Sequence, residues 1–540
     1  MVDGKTNAAL ALERLTKILG VDFLGYVLSI PVGQSPSDVT LTSAQEQVIE
    51  VLARHALPQG DDEFIGAGAF MQASRLTSHL PDGNSSIINL LRTITGGEVE
   101  TVEPVGDEFV DAVTALARDA WPAYLIRPRG DGPRTFWMST PVGVYDNPSF
   151  ARAVDAFTAD SRLMNLFPHL PEDSDASGGA LGKAIGYQSL VVTNGQSGTL
   201  QLSGLISNVL SSAVFRCLIA AESLSLNTLA PHIASVAEDL RKLATGETVR
   251  VPALVGFAGV QLPEGSSLEF PEGRLRPPSD ADRELFLAGT ASLASVLETT
   301  FPVRIYSIQK HLFEGEDPFG DYWKFQARIA EASRSFAHMV DLIRLSLVLA
   351  SPAEKPWLAR EVARYIPDPL AHGGTSFWDP GFATVPTFEL PPDQFDAVRD
   401  WHSFVKSKHM PSLDIGMRRL LSAATTRTEA IDAFVDAVIC WESLFGVHTE
   451  TTFRVTASIA KLLEPSNLAR REALHKELKD LYSKRSRLVH GGPEPTTEDV
   501  DRFRQRAIDV AADCFRALYR DRADLIELSS NLRGAKLLLE

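Results

Sequence analysis

One stretch near the C-terminus organises the interpretation of the chain, and it reads Leu481-Tyr482-Ser483-Lys484-Arg485-Ser486-Arg487-Leu488-Val489-His490-Gly491-Gly492. It closes a helical pattern, carries three cations in four residues and ends in a histidine followed by two glycines. Glycine commonly ends a helix because it adopts the left-handed conformation without strain. The stretch therefore predicts a helix terminus that carries clustered cations and an imidazole.

The sequence around this stretch has the pattern of an all-helical bundle. Amphipathic helices are predicted at about 395–423, 427–446, 452–464, 467–489 and 497–526. Thr496 stands three residues before Asp499, which is typical of a capped helix start. Short connections between such helices favour an antiparallel bundle.

Two of these helices carry an ionic residue at the end of an apolar stripe. The stripes are Ile431, Val435, Val438 and then Glu442 in the second helix, and Leu474, Leu478, Leu481 and then Arg485 in the fourth. A charge buried without a partner is costly. We therefore expect Glu442 to lie near Arg485, either as a structural ion pair shared with Arg454 or as part of a functional site.

Two further side chains are placed by helical geometry. Arg487 lies about 200° around the helix from Arg485 and should face solvent or a partner. His490 lies about 140° from Arg485, so the two converge only if the helix ends near His490. On position alone, the helix dipole explains a histidine here, because it favours the cationic form.

The stretch resembles the Arg-x(4–6)-His signature of HEPN domains, and its wider context resembles the ApeA-like branch of that family. Two more segments carry the resemblance: Cys440-Trp441-Glu442-Ser443-Leu444-Phe445, and Phe453-Arg454-Val455 continuing to Ile459-Ala460-Lys461-Leu462-Leu463. The resemblance covers about a quarter of the chain.

HEPN proteins are commonly metal-independent ribonucleases, many of them in toxin–antitoxin and phage-defence systems. The resemblance implies that Arg485 and His490 are catalytic and that a homodimer forms the composite site through the C-terminal bundle. It places Ser486 where many members have Asn, Asp or His. We expect Glu442, Ser486, Arg454 and Tyr482 to support the site and Lys484 and Arg487 to bind RNA. No metal and no other cofactor is expected.

The whole chain is predicted to be an α+β multidomain protein. Residues 1–175 form a mixed α/β region, residues 176–390 a middle region with a β segment and long helices, and residues 391–540 the HEPN-like bundle. Helices are predicted at 5–19, at about 42–57, at about 281–299 and at about 321–350, and strands at 21–32 and 249–260.

Charge and composition limit the partners. The net charge is −17, yet residues 391–540 hold 23 Lys+Arg and 23 Asp+Glu, so the first 390 residues carry the whole excess. If any part of the chain binds RNA, the C-terminal part is therefore the better candidate. Three separated cysteines and the absence of a signal-peptide pattern predict a cytoplasmic protein. The apolar run Leu202–Leu224 is interrupted by polar residues, which favours a core helix and no membrane partner.

Two alternatives remain at the level of sequence. The chain could be a non-catalytic HEPN module that acts in RNA or nucleotide binding or in partner assembly. It could also house an unrelated enzyme in the N-terminal region, where no motif supports one. In the ribonuclease interpretation, that acidic region senses a trigger or regulatory ligand, or restrains the nuclease.

Overall fold

The computed structural model describes residues 7–31, 33–56, 75–80, 85–126, 142–168, 179–195, 197–220, 222–286, 292–310, 320–352, 355–371, 375–378, 386–446, 451–491 and 495–540. In these ranges the chain is a mixed α+β protein with a helical C-terminal region, as predicted. The predicted boundary at residue 175 lies outside the described residues.

The N-terminal part is helical where it is described. Its helices are Asn7–Leu19 (α1), Val21–Val27 (α2), Ser43–Ala56 (α3), Ile87–Ile94 (α4), Glu108–Ala120 (α5), Pro148–Ala159 (α6) and Gly179–Gly186 (α7). The predicted strand at 21–32 is wrong, because α2 occupies that segment. Phe23, Leu24 and Val27 are fully buried, and the Tyr26 ring packs against Trp121 at 5.0 Å between centroids. This tertiary packing outweighs the β propensity of the segment.

The middle part combines helices with antiparallel strands. Its helices are Leu202–Ile219 (α8), Leu226–Ala244 (α9), Asp280–Leu285 (α10) and Gly320–Ala350 (α11). Its strands are Gln188–Thr193 (β1), Gly198–Gln201 (β2), Val249–Ala258 (β3), Val260–Gln261 (β4), Leu268–Phe270 (β5), Gly273–Arg276 (β6), Ser295–Val303 (β7), Ile305–Lys310 (β8), Arg360–Ile366 (β9), Thr375–Trp378 (β10) and Phe388–Glu389 (β11).

These strands form a six-stranded sheet and two smaller ones. The large sheet has the order β10-β9-β3-β7-β6-β5, the second has the order β2-β1-β8, and β11 pairs with β4 in parallel. The predicted helix at 281–299 is wrong, since in the described part of this range only α10 is helical and β7 follows it. Pairing of β7 with β3, from Val249 opposite Val303 to Phe257 opposite Ser295, decides this outcome. Such pairing is non-local and leaves little trace in a sequence window.

Helix α8 is the one helix in the described chain that is long and apolar enough to cross a membrane by length and composition. Of its residues, 89% are buried within the fold, where the helix packs against α9, α7 and the strands β2 and β3. It has the environment of a core helix, as predicted for this apolar run.

The C-terminal part is a helical bundle. Its helices are Phe395–Lys408 (α12), Asp414–Leu421 (α13), Ala430–Phe445 (α14), Thr451–Leu463 (α15), Leu468–Val489 (α16), Thr497–Arg520 (α17) and Ser530–Leu539 (α18). The predicted helix 395–423 is divided into α12 and α13, because Pro411 cannot donate a helical hydrogen bond and Met410 before it is extended. The cap on α17 is as predicted, with the Thr496 hydroxyl accepting from the Asp499 amide at 3.3 Å.

Helix α11 belongs to two apolar cores. Val340, Ile343 and Leu347 pack in the larger core of the N-terminal and middle parts, whereas Leu345 and Leu349 pack in the bundle core. Residues just beyond the predicted boundary at 390, including Phe395 and Val398, pack in the larger core. The sheet and the bundle therefore share buried surface.

A hairpin turn also brings the sheet to the bundle. Gly273 begins β6 after that turn, and a Cβ there would lie 2.0 Å from the Glu298 carbonyl oxygen, so the close approach requires glycine. The turn presents Glu272, whose carboxylate lies 2.9 Å from Nε2 of His402 and 2.5 Å from Nζ of Lys406 on α12.

Candidate functional site

The candidate site lies at the C-terminal end of helix α16. Leu478, Leu481 and Tyr482 are buried, and the helix ends at Val489. The His490 amide still donates to the Ser486 carbonyl at 3.1 Å, and Gly491 then takes a left-handed φ of 77°. The predicted glycine terminus is confirmed at Gly491, and Gly492 lies outside the described residues.

Helix α14 supplies the acidic partner. Trp441 is fully buried and its indole Nε1 donates to the Ala507 carbonyl of α17 at 3.1 Å. This contact fixes the rotation of α14 about its axis. The next residue, Glu442, is thereby turned towards α16, where its side chain keeps a quarter of its surface exposed.

Glu442 connects the two helices. Its Oε2 lies 3.6 Å from Nη2 of Arg485, and its Oε1 accepts a hydrogen bond from the Tyr482 hydroxyl. Burial raises the pKa of Tyr482, and the Glu442 carboxylate raises it further, so the phenol stays protonated and donates. The expectation that Glu442 and Arg485 meet is confirmed.

Arg485 makes no hydrogen bond within the part of the chain that the structure describes. The 3.6 Å separation from Glu442 is an ion pair but is too long for a hydrogen bond. Its Nε is buried without a hydrogen-bond partner, and its side chain is 20% exposed. A guanidinium held in this way can offer a planar set of donors to a phosphate or a carboxylate.

The polar side chains that follow Arg485 face outward. His490 and Arg487 are exposed, and Ser486 is half-buried. Arg487 faces solvent as helical geometry predicted. In the part of the chain that the structure describes, the imidazole of His490 has no hydrogen bond or ion pair. The structure thus presents Arg485 and His490 at the same end of one helix.

Two predicted residues are placed differently from expectation. Arg454 on α15 is half-buried, but it takes no part in the Glu442–Arg485 pair, so the predicted sharing of that pair is not found. Lys484, predicted to bind RNA, lies 2.5 Å from Asp480 and 4.1 Å from the centroid of the Phe503 ring. These contacts would have to break before its ammonium could reach a ligand.

Two clusters in the described ranges have the donor atoms for a metal ion, one of Cys217, Glu222 and His232 and one of His338, His409 and Asp414. Sequence reasoning predicted no metal site. No spacing pattern could indicate the second cluster, because His338 lies on α11 and only His409 and Asp414 are close in sequence.

The N-terminal part has a cleft of about 700 Å³ beside α5, α6 and α9. Its lining contains carboxylates and guanidiniums, among them Glu103, Asp111, Arg118 and Arg152. The cleft offers mixed charge to a small ligand and lies on elements that do not contribute to the Arg485 site.

Comparison of the chain with protein-family models, with curated proteins and with solved structures gave no match.

Proposed function

We propose that this chain is a metal-independent endoribonuclease whose composite site contains Arg485 and His490 from two copies. One observation carries the proposal: Glu442 holds the Arg485 guanidinium at the edge of the bundle, where Nε has no hydrogen-bond partner among the described residues, and an exposed imidazole follows at the end of the same helix. A guanidinium and an imidazole at the same end of one helix suit the chemistry of a phosphodiester.

The proposed reaction needs no metal. One imidazole takes the proton of the ribose 2′-hydroxyl while O2′ forms a bond to phosphorus. The P–O5′ bond breaks, and a protonated imidazole gives its proton to the departing O5′. The Arg485 guanidinium donates to the non-bridging oxygens and stabilises the charge that develops on the crowded phosphorus. The products are a 2′,3′-cyclic phosphate and a 5′-hydroxyl.

A dimer supplies the second imidazole. A two-fold axis beside the end of α16 would place His490 and Arg485 of both copies around one phosphate. Two large apolar side chains on α15 and α16 support this placement, because Phe453 is 58% and Val489 52% exposed. A second copy that covered them would remove apolar surface from water.

The cellular role follows from the same proposal. We place the enzyme in the cytoplasm, as a nuclease of the prokaryotic defence or toxin type. The acidic N-terminal region would repel RNA and restrain the nuclease. The mixed-charge cleft beside α5 is where a regulatory ligand or trigger would bind.

The test is RNA cleavage by the purified full-length chain, with and without EDTA. We expect wild type to cut single-stranded RNA in EDTA, and His490→Ala and Arg485→Ala to lose at least about a hundredfold in rate. His232→Ala, which removes an imidazole on α9 outside the bundle, is the matched control and should cut like wild type. Cleavage by His490→Ala at the wild-type rate would refute the proposal.

A mixing experiment tests the composite site. Wild type and His490→Ala are combined in equal amounts and allowed to exchange subunits. If each site needs both imidazoles, the mixture should keep about a quarter of the wild-type activity per dimer, whereas independent sites would leave about half of the wild-type activity. Retention of half the activity would contradict a composite site.

The non-catalytic alternative has a different result in the same assay. A binding module would retain RNA on a filter without cutting it, and toxicity in cells would be unaffected by His490→Ala. Binding without cleavage, in the absence and presence of a candidate trigger, would favour it.

A further inference from the structure

A second constellation lies at the junction of α11, α12 and α13. His338 is on α11, His409 directly follows α12, and Asp414 is the first residue of α13. Oδ1 of Asp414 lies 2.8 Å from Nε2 of His409 and 3.8 Å from Nδ1 of His338. The two imidazole rings are 5.4 Å apart between centroids, and the three donor atoms lie within 4.8 Å of one another.

These separations match those in a metal site. A tetrahedral ion with bonds of about 2.0–2.2 Å holds its ligand atoms about 3.4 Å apart. The two measured distances fall on either side of that value. Small side-chain rotations would bring all three atoms to bonding distance without backbone movement.

The segment that carries His409 and Asp414 is anchored. Nδ1 of His409 lies 2.6 Å from the hydroxyl of Tyr519, and only 3% of the His409 side chain is exposed. Such a contact to the second ring nitrogen fixes the orientation of a metal-binding histidine. Between His409 and Asp414, the hydroxyl of Ser412 donates to the Ile526 carbonyl and accepts from the buried guanidinium of Arg533.

The hydrogen bonds of His409 also suit a metal ligand. A carboxylate can only accept, so Nε2–H of His409 donates to Oδ1 of Asp414 at 2.8 Å. An ion that binds Nε2 would displace this proton, and the ring proton on Nδ1 would then donate to the Tyr519 hydroxyl, which lies 2.6 Å away.

We propose that His338, His409 and Asp414 bind one divalent first-row transition-metal ion, with Zn²⁺ as the expected ion. Two imidazole nitrogens and one carboxylate suit such ions, whereas Ca²⁺ and Mg²⁺ prefer sites made of oxygen. The side chains of His338 and Asp414 are 41% and 34% exposed, so the site opens to solvent. The ion can enter there, and water can take the fourth position.

The ion would cross-link α11 to the bundle. In the ranges that the structure describes, Asp414 is the polar partner of the His338 side chain, and this 3.8 Å contact is long. Bonds from both side chains to one metal ion would replace this long contact with short and directional ones. None of its ligands belongs to the Arg485 site, so metal binding and RNA cleavage can be measured separately.

The experiment uses the full-length chain after dialysis against a chelator. Titration with Co²⁺ should give the visible absorption bands of a tetrahedral site, and calorimetry should show uptake of Zn²⁺ by this cluster at one ion per chain. His338→Ala and Asp414→Asn should each weaken Zn²⁺ binding by about a hundredfold or more, since loss of a ligand costs more than loss of an outer contact. Zn²⁺ should raise the melting temperature of wild type and leave that of His338→Ala unchanged.

His232→Ala is the control, because it removes a donor from the other candidate cluster. It should retain the ion of the His338 cluster. The proposal is overturned if wild type takes up no Zn²⁺, or if His338→Ala binds as tightly as wild type. Far-UV circular dichroism of the variants in the absence of metal shows that they are folded, and His338 is exposed enough for its substitution to be tolerated.

Discussion

At the scale of single residues, the Glu442 carboxylate joins α14 to α16, because it lies 3.6 Å from the Arg485 guanidinium and accepts a hydrogen bond from the Tyr482 hydroxyl. The apolar stripes that end at Glu442 and at Arg485 indicated this inward pair. The alternative in which Arg454 shares this ion pair is not found among the described contacts. A stripe predicts the face on which a side chain begins, but where a long flexible side chain ends depends on neighbours from other helices.

The Tyr482 hydroxyl gives a prediction at this scale. Tyr482→Phe keeps the ring but removes the donor to the Glu442 carboxylate, and should lower the free energy of unfolding by about 1–2 kcal/mol. Urea unfolding measures this. Tyr187→Phe is the matched control, because the Tyr187 hydroxyl has no hydrogen bond in the described structure. Equal losses in the two variants would show that the Tyr482 bond contributes nothing.

At the scale of elements, helices with caps and long periodic patterns were predictable, and short apolar segments were not. Helix α11 and the end of α16 agree with the sequence, because periodicity and the glycine signal act locally. The segment of α2 was predicted as a strand and that of β7 as a helix. Both were decided by partners far away in sequence, the N-terminal core for α2 and strand β3 for β7.

Packing of helix α18 yields a prediction that involves two glycines. A Cβ at Gly534 would lie 2.9 Å from the Phe445 carbonyl at the end of α14, so Gly534→Ala must separate the helices and should cost about 1–3 kcal/mol.

Gly25 in α2 has nothing within 4 Å of its Cβ position, so Gly25→Ala should gain about 0.5–1 kcal/mol. Thermal unfolding measures both, and a gain at Gly534 would contradict the close packing.

At the scale of the whole molecule, the order of helical and strand patterns along the chain predicted the mixed fold. It could not predict that the sheet and the bundle share surface. The pairing of β3 with β7 and β9, and the contact of Glu272 with α12, join residues that are far apart in sequence. For the same reason the cluster of His338, His409 and Asp414 had no signature.

The contact between sheet and bundle predicts a dependence on pH. Burial lowers the pKa of His402 below its ordinary value of 6.5, despite the opposing effect of Glu272. The unfolded chain therefore binds a proton more readily, and stability is lost as pH falls from about 7 towards 5. Burial also lowers the pKa of His409, which acts in the same direction.

Melting temperatures measured between about pH 7 and pH 5 test this dependence of stability on pH. Burial raises the pKa of Glu272, but Lys406 and His402 lower it more, so in the folded chain this pKa lies below its ordinary value of 4.5. Glu272 therefore loses its stabilising effect only when the pH falls below about that value. The loss between pH 7 and pH 5 is then due to histidine. His402→Gln should flatten the curve in part, and an unchanged slope would exclude His402 as a contributor.

Helix α11 spans 31 residues, or about 46 Å, and one end of it is held by the bundle. Arg516 of α17 donates to the carbonyls of Leu349, Val348 and Ser351 at 2.9, 3.0 and 3.2 Å, where the helix has no further amides of its own to bond. Buried residues of α11 pack in both apolar cores, so neither core is complete without this helix. Heating should therefore melt the sheet and the bundle in one cooperative transition, and a homologous bundle could be grafted onto this sheet only together with the helix they share.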